Sequence, residues 1–524
     1  MCIIFNVYFI GAAAEACGVH GKGIIKMTLE LLAFILYFVV VLGIGVYFML
    51  KTKGGGEGEF FLGGRQMGPW VTAMSAQASD MSGWLLMGFP GSILAFGMGK
   101  VWIGIGLAIG TAANWIFVAK RLRNFSKAAN DSITLPQYLN NRFAANNRAL
   151  QIICAIVFLV FFTIYVASSF VAGATVLTSV VPQLAGKDSL ALLIFALIII
   201  GYTFSGGFSA VCWTDFFQGI MMLCALLAVP IMILAVKNPD AANLTFMNAD
   251  GTLNEFITNP FNAPVADIVS GLGWGLGYFG MPHILVRFMS IKKASLVKKS
   301  ATVAIIWVVL SLGASIAIAI LGRMLMGKAL VDAGTQQTIF IELVKSLFPS
   351  FIAGVLLSAI IAAAMSTADS QLLVASSSFT SDIYKPVFRK KASDKEIIWV
   401  GRGVVIAVAV IAYFIANSKG KGAQAIMDMV ENAWGGFGAS FGPVILLSLF
   451  WKRMTYSGAV AGVVGGAVTD VLWLLFLTES TGIYEIIPGF AVGLVLCVVV
   501  SLISKAPTKE VTDIFEKATS KEAE

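Results

Sequence analysis

Charge is scarce in this chain. Only 12% of its 524 residues are Asp, Glu, Lys or Arg, against 58% apolar, too few to clothe a soluble domain of that length. Histidine is scarcer, with two residues, and no metal-ligand cluster or nucleophile–base–orienter set can be assembled, which argues against an enzyme. Six cysteines occur without a CxxC pair or framework spacing, so neither zinc nor structural disulfides are expected. The net charge of +8 does not mark a nucleic-acid binder, because the basic residues fall in short loops on alternate sides of apolar runs. That distribution is an orientation signal.

What the sequence has in abundance is apolar runs near or above the ~20 residues that cross a hydrocarbon core. The fold class is therefore an all-α polytopic membrane protein. About thirteen transmembrane spans are expected, at 29–50, 69–96, 101–119, 149–180, 188–206, 211–236, 265–289, 301–326, 350–382, 397–416, 429–450, 456–478 and 484–503. Residues 1–26 form an extension of doubtful status: its apolar run is too short to span, and no basic residue precedes it as in a signal peptide. Residues 27–504 read as one transmembrane domain with a core at 69–450, and 505–524 as a short cytoplasmic tail. Lys and Arg cluster in the loops after the first, third, seventh, ninth and eleventh spans, which puts the N-terminus outside the cell membrane and the C-terminus in the cytoplasm.

One stretch organises the rest. Ser75-Ala76-Gln77-Ala78-Ser79-Asp80-Met81-Ser82-Gly83-Trp84 lies inside a span yet carries a carboxylate, three serines and a glutamine. A continuous helix in lipid satisfies its own backbone; an interrupted one frees carbonyls and amides that can hold an ion or a zwitterion. A break is expected around 78–83. Five spans later, Gly271 to His283 contains five glycines and Pro282. Two Gly/Pro-interrupted spans at that separation point to an inverted five-plus-five repeat with its site between the breaks. A third element is Ala363, Ser366, Thr367 and Ser370, which share one helix face. Na⁺ wants about five or six oxygen donors, and these hydroxyls with freed carbonyls opposite would supply them. Serine and threonine in membrane helices also bond back to their own backbone.

Four motifs carry a resemblance. Ala-Ser-Asp80-Met-Ser-Gly-Trp84, Ala-Val-Cys-Trp213-Thr214-Asp215, Gly-Trp274-Gly-Leu-Gly-Tyr278-Phe-Gly and Ala-Ala-Met-Ser366-Thr367 stand in the order found in the solute:sodium symporter family, and the chain resembles its bacterial proline-transporting branch. The similarity runs from about Met27 to the tail and implies a LeuT-like core that couples solute entry to the sodium gradient. It implies a sodium site from the carbonyls of Ala78, Met81 and Ala363 with the hydroxyls of Ser366 and Thr367, and Asp80 close by. It implies a proline pocket lined by Trp84, Tyr165, Trp274, Tyr278 and Pro282 beside Ser82 and Gly83, and a coupling role for Arg65. An aromatic lining suits a pyrrolidine ring, with backbone dipoles for its charged groups.

In relatives with a second cation site the resemblance places it at Asp215, Asp369, Ser366 and Ser370, where two close carboxylates would need Na⁺ or H⁺ between them; the alternative is that Asp369 accepts a hydrogen bond from a neighbouring helix. Asp470 is a further intramembrane acid, and His283 reads as an interhelical hydrogen-bond partner. The expected cargo is L-proline with Na⁺, in a lipid bilayer, with no cofactor and no obligate protein partner. Alternatives are a sodium symporter for pantothenate or a short monocarboxylate, or a membrane sensor, which the short tail disfavours. A channel is disfavoured because no repeated filter loop occurs.

Overall fold

The computed structural model describes residues 29–51, 55–245, 258–418 and 423–520. The 1–26 extension, Lys53 and the middle of the 237–264 loop lie outside them. Among the described residues the regular structure is helical, apart from one isolated bridge between Met67 and Ile291. Ten helices among the described residues are long and apolar enough to cross a membrane. The difference from thirteen falls at three places: Asp188–Phe204 is a shorter apolar helix, and the 69–96 and 265–289 spans are each interrupted.

In chain order, α1 is Leu29–Lys51, α2 Pro69–Asp80, α3 Phe89–Phe96, α4 Val101–Ala113, α5 Ala149–Val180, α6 Asp188–Ser205 and α7 Phe208–Val236. Next come α8 Val265–Gly273, α9 Pro282–Ser290, α10 Val297–Met326, α11 Ser350–Ser377, α12 Asp394–Ser418 and α13 Ala423–Phe450. Then follow α14 Tyr456–Phe476, α15 Ile486–Ile503 and α16 Lys509–Thr519.

Pro69 opens α2 at a position where its missing N–H is no loss. The helix stops at Asp80 because Met81 leaves helical geometry at φ −86°, ψ 45°. The chain resumes through a π-turn, Trp84–Gly88, which runs into α3. Ser82 restarts it by accepting the Trp84 amide on its hydroxyl at 3.3 Å. Gly83 is required by packing, since a β-carbon there would stand 2.5 Å from Ala172 Cβ on α5. The second interruption follows the same logic. After α8 the chain tightens into a 3₁₀ segment, Trp274–Phe279, and Met281 is extended (φ −75°, ψ 108°). Pro282 then opens α9.

Helices in lipid gain little from apolar burial against one another and associate through close packing of small residues. The alanine-rich α11 is the clearest case: its span is 78% buried, against 22% for α1 at the rim. It packs on α5, α7, α1 and α2. The last three spans, α13, α14 and α15, form their own packed group. Large apolar side chains face outward on α1, α7, α12 and α15, among them Val39, Leu234, Phe414 and Ile503. The charged tail folds into α16, where Phe515 meets Phe125 edge-on and the Val511 carbonyl accepts from Arg142.

Candidate functional site

The two interruptions meet inside the protein with α11 beside the first. Ending α2 leaves its last carbonyls without intrahelical donors. Ala78 O accepts instead from Ser366 Oγ of α11 at 2.8 Å, and the same hydroxyl lies 3.2 Å from Ala363 O. Thr367 Oγ1 is buried without a hydrogen-bond partner. One hydroxyl thus draws two carbonyls together, and the next residue carries an unpartnered second one, hard and neutral oxygens of the type that suits Na⁺. Met81 supplies the non-helical turn at its edge.

Asp80 turns the other way. Its carboxylate accepts from Tyr278 OH of the second interruption at 2.6 Å, and its carbonyl accepts from Tyr165 OH at 3.3 Å. Around it the aromatic side chains assemble from both breaks. The rings of Trp84 and Trp274 are 5.9 Å apart, and Trp84 stacks on Phe89 at 5.1 Å. Pro282 and His283 are buried at the start of α9, with the His283 ring 6.4 Å from Tyr165.

The carbonyls freed by the second interruption have fixed donors. Trp434 Nε1 of α13 donates to Trp274 O at 2.8 Å, and Asn114 Nδ2 donates to Tyr278 O at 2.9 Å. Trp434 also meets the Tyr278 ring edge-on at 5.0 Å, while Tyr484 lies 5.3 Å from Trp274. Trp434, Tyr484 and Asn114 stand outside the expected site residues. A Trp-Gly-Gly in a later span was the available signal for the first.

At the expected second cation site the structure adds a residue. Asp215 and Asp369 are both buried, but a guanidinium lies beside them. Arg287 of α9 bonds Asp215 Oδ2 at 2.9 Å, Ser75 Oγ at 2.7 Å, Ser370 Oγ at 2.5 Å and the His283 carbonyl at 2.6 Å. Ser75 in turn donates to Asp215 at 2.7 Å. Ser370 reaches Asp369 Oδ1 at 3.4 Å. Ser366 is engaged with Ala78 and Ala363 rather than this cluster. Arg287 neutralises one of the two carboxylates, while Asp215 Oδ1 and Asp369 Oδ2 stay unpartnered. An arginine five residues before Lys292 reads in sequence as an ordinary inside anchor, which is why it was missed.

Arg65 stands at one end of this assembly, just ahead of α2, with a left-handed φ of 55°. It donates to the carbonyls of Met289 at 2.6 Å and Ser132 at 2.8 Å and to Ser126 Oγ at 3.1 Å, and pairs with Asp131 at 2.8 Å. Burial pulls its pKa below the ordinary value, and Asp131 opposes that. Beside it the Met67 amide donates to Ser290 O and the Lys292 amide to Met67 O, at 3.2 and 3.0 Å. The end of α9 is thereby joined to the start of α2.

Two broken helices enclosing an oxygen set and an aromatic box, in a bundle of apolar spans, define a membrane transporter. The chain belongs to the Sodium:solute symporter family, whose model matches residues 60–466. It is 42% identical over 499 residues to the sodium/proline symporter of Haemophilus influenzae, covering 93% of this chain and 97% of that one. It is 41% identical to the osmoregulated proline transporter of Bacillus subtilis, over 93% of this chain and 98% of that one. Among solved structures, a Na⁺-coupled sialic acid symporter in a substrate-bound outward-open state superposes with a TM-score of 0.71 at 18% identity, over 92% of this chain and 99% of that one. A nucleobase-cation-symport-1 family transporter gives 0.54 at 14%, over 87% and 98%. These two likenesses concern the fold alone.

Proposed function

We propose that this chain is a secondary-active symporter that carries L-proline inward together with Na⁺ by alternating access. The relatives named as proline transporters match it at 41–42% identity over nearly its whole length. The observation that carries the reading is the 2.8 Å approach of Ser366 Oγ to Ala78 O across two helices, beside a buried, unpartnered Thr367 hydroxyl. Na⁺ would be held by the carbonyls of Ala78, Met81 and Ala363 with those two hydroxyls. Such an ion ties α11 to the break in α2, so states in which the two helices are together gain its binding energy. Asp80, oriented by Tyr278 and Tyr165, supplies negative charge nearby. The proline ring would lie against Trp84, Trp274 and Tyr278, within reach of Tyr165 and Pro282. The break at Ser82 and Gly83 offers backbone dipoles to its charged groups.

The driving force is ample. A tenfold Na⁺ gradient supplies about 1.4 kcal/mol, and each charge crossing 100 mV adds about 2.3 kcal/mol. Arg65 would couple the inner ends of the two broken spans. Thirteen crossings, an inverted five-plus-five repeat across 69–450, an outside N-terminus and a cytoplasmic C-terminus complete the proposal. The unpartnered oxygens of Asp215 and Asp369 would take a second cation, Na⁺ or H⁺, beside Arg287. Comparing Hill slope and pH profile in the native chain and Asp369→Ser tests this; identical curves rule it out.

The decisive experiment is uptake of radiolabelled proline by the purified chain in liposomes, with an inward Na⁺ gradient or K⁺ in its place. Accumulation with Na⁺ alone is expected, unaffected by excess pantothenate or short monocarboxylates. Equal uptake in both salts defeats the sodium coupling, and competition by either carboxylate defeats the assignment of proline.

A further inference from the structure

Asp470 lies on α14, away from the residues assigned above, and is only 1% exposed. It occupies a space where three helices meet and two of them lack side chains. A β-carbon at Gly435 of α13 would stand 3.0 Å from Asp470 Oδ1, and one at Gly489 of α15 would stand 3.2 Å from Asp470 Cβ. The same point at Gly435 is 3.4 Å from Glu485 Cγ. One glycine-walled space therefore receives both acids, and Glu485 is equally buried at 1% exposed.

Neither acid is compensated. Asp470 Oδ1 and Glu485 Oε1 are buried without any hydrogen-bond partner. The other Glu485 oxygen has Thr478 Oγ1 at 3.4 Å, a long contact. Leaving one carboxylate unpaired in a low dielectric costs several kcal/mol, and a second beside it raises that cost.

A cavity lies next to the pair. Glu431 lies one turn before Gly435 on the same face of α13, and its carbonyl accepts from Tyr484 OH at 2.8 Å. Glu431, Thr478 and Tyr484 line a cavity of about 300 Å³ whose wall also holds Lys100, Asp267 and Trp274. The acids thus sit directly behind the wall of a cavity that reaches the aromatic box. Among the described residues, no three or more His, Cys, Asp or Glu gather as a metal cluster. The two carboxylates and Thr478 Oγ1 are hard oxygen donors, which select an alkali or alkaline-earth ion, and they are fewer than the roughly six to eight oxygens that hold Ca²⁺ tightly.

We propose that Asp470 and Glu485 form a binding site for a monovalent alkali cation, filled from this cavity and separate from the α2–α11 oxygen set. The Tyr484 ring joins the site to Trp274, so occupancy stiffens one wall of the aromatic box. The inference does not rest on proline being the cargo.

Counting ²²Na⁺ bound to the purified full-length chain in detergent tests it. The Ser366→Ala/Thr367→Ala variant should retain Na⁺ binding, and adding Asp470→Asn should lower the count by one ion per chain. Glu485→Gln, which alters the other side of the space, should do the same, and it serves as the reading if the asparagine variant fails to elute as a monodisperse peak. Equal Na⁺ counts with and without these two substitutions overturn the site, and would mean that the acids share a proton instead.

Discussion

The two helix interruptions solve one problem in opposite ways. Each frees main-chain carbonyls inside a bundle where no water is at hand. At the second break those carbonyls are held by N–H donors, Trp434 on Trp274 and Asn114 on Tyr278. Such donors can serve a carbonyl but can never bind a cation. At the first break the partner of Ala78 is a hydroxyl, Ser366, which can donate to the carbonyl or turn its lone pairs to an ion. The second break is therefore fixed framework for a box, and the first is exchangeable. The chemistry of the capping group thus separates the proposed ion site from a scaffold, although both breaks look alike in glycine and proline content.

That contrast can be broken at Arg287, which ties both halves to α7. Arg287→Met should cost about 3–5 kcal/mol by leaving Asp215 as an uncompensated buried charge. A large fall in the thermal unfolding midpoint is expected, with little rescue by Arg287→Lys, whose ammonium lacks the planar fork. A midpoint within a degree of the native chain would show the cluster is not a structural tie.

The next effect sharpens the first break. Removing both hydroxyls in Ser366→Ala/Thr367→Ala should lose about 1–3 kcal/mol per ligand oxygen. Apparent Na⁺ affinity for uptake should fall tenfold or more, while proline affinity at saturating Na⁺ stays near native. An unchanged Na⁺ dependence would remove these groups from the ion site.

At the second break the mirror result is expected. Trp434→Phe strands the Trp274 carbonyl at a cost of about 1–3 kcal/mol. The half-saturating proline concentration should rise with the Na⁺ dependence preserved; a shift in Na⁺ dependence alone would reverse the assignment of roles. The smallest effect is Ser82→Ala, which removes the cap that restarts the first helix and should cost about 1 kcal/mol. Hydrogen exchange at the Trp84 amide is the sensitive measure.

Much of this plan is legible in sequence because a break in lipid leaves local marks. Gly83, Pro282 and the polar run from Ser75 to Ser82 are out of place in continuous apolar helices, and the Ser366–Thr367 pair announces itself by spacing. Arg287 and Trp434 carry no such mark. Their roles depend on partners 72 and 160 residues away, and an arginine near a span's end or a tryptophan in an apolar run has ordinary explanations. The direction of Asp80 was equally hidden: at a break the helical rule for side-chain direction no longer applies. The thirteen spans expected against ten continuous long ones express the same fact, since interruption is both the functional signal and what hides a span from a length criterion.

The two main-chain hydrogen bonds between Met67 and the Ser290–Lys292 turn have a mechanical meaning. They join the entrance of α2 to the exit of α9, and Arg65 clamps the joint through Met289. Short of proline at Met67 or Lys292, which would remove the donating N–H, no substitution deletes these bonds, so α2 and α9 are yoked at these ends and should swing as one lever. A cross-link between Met67 and Ile291 should then leave transport running, whereas one between Ala78 and Ser366 should stall it. The lever's stroke is felt across the α2–α11 contact, where the proposed sodium ligands lie, and in the proposed orientation opening toward the cytoplasm and release of the ion become a single movement.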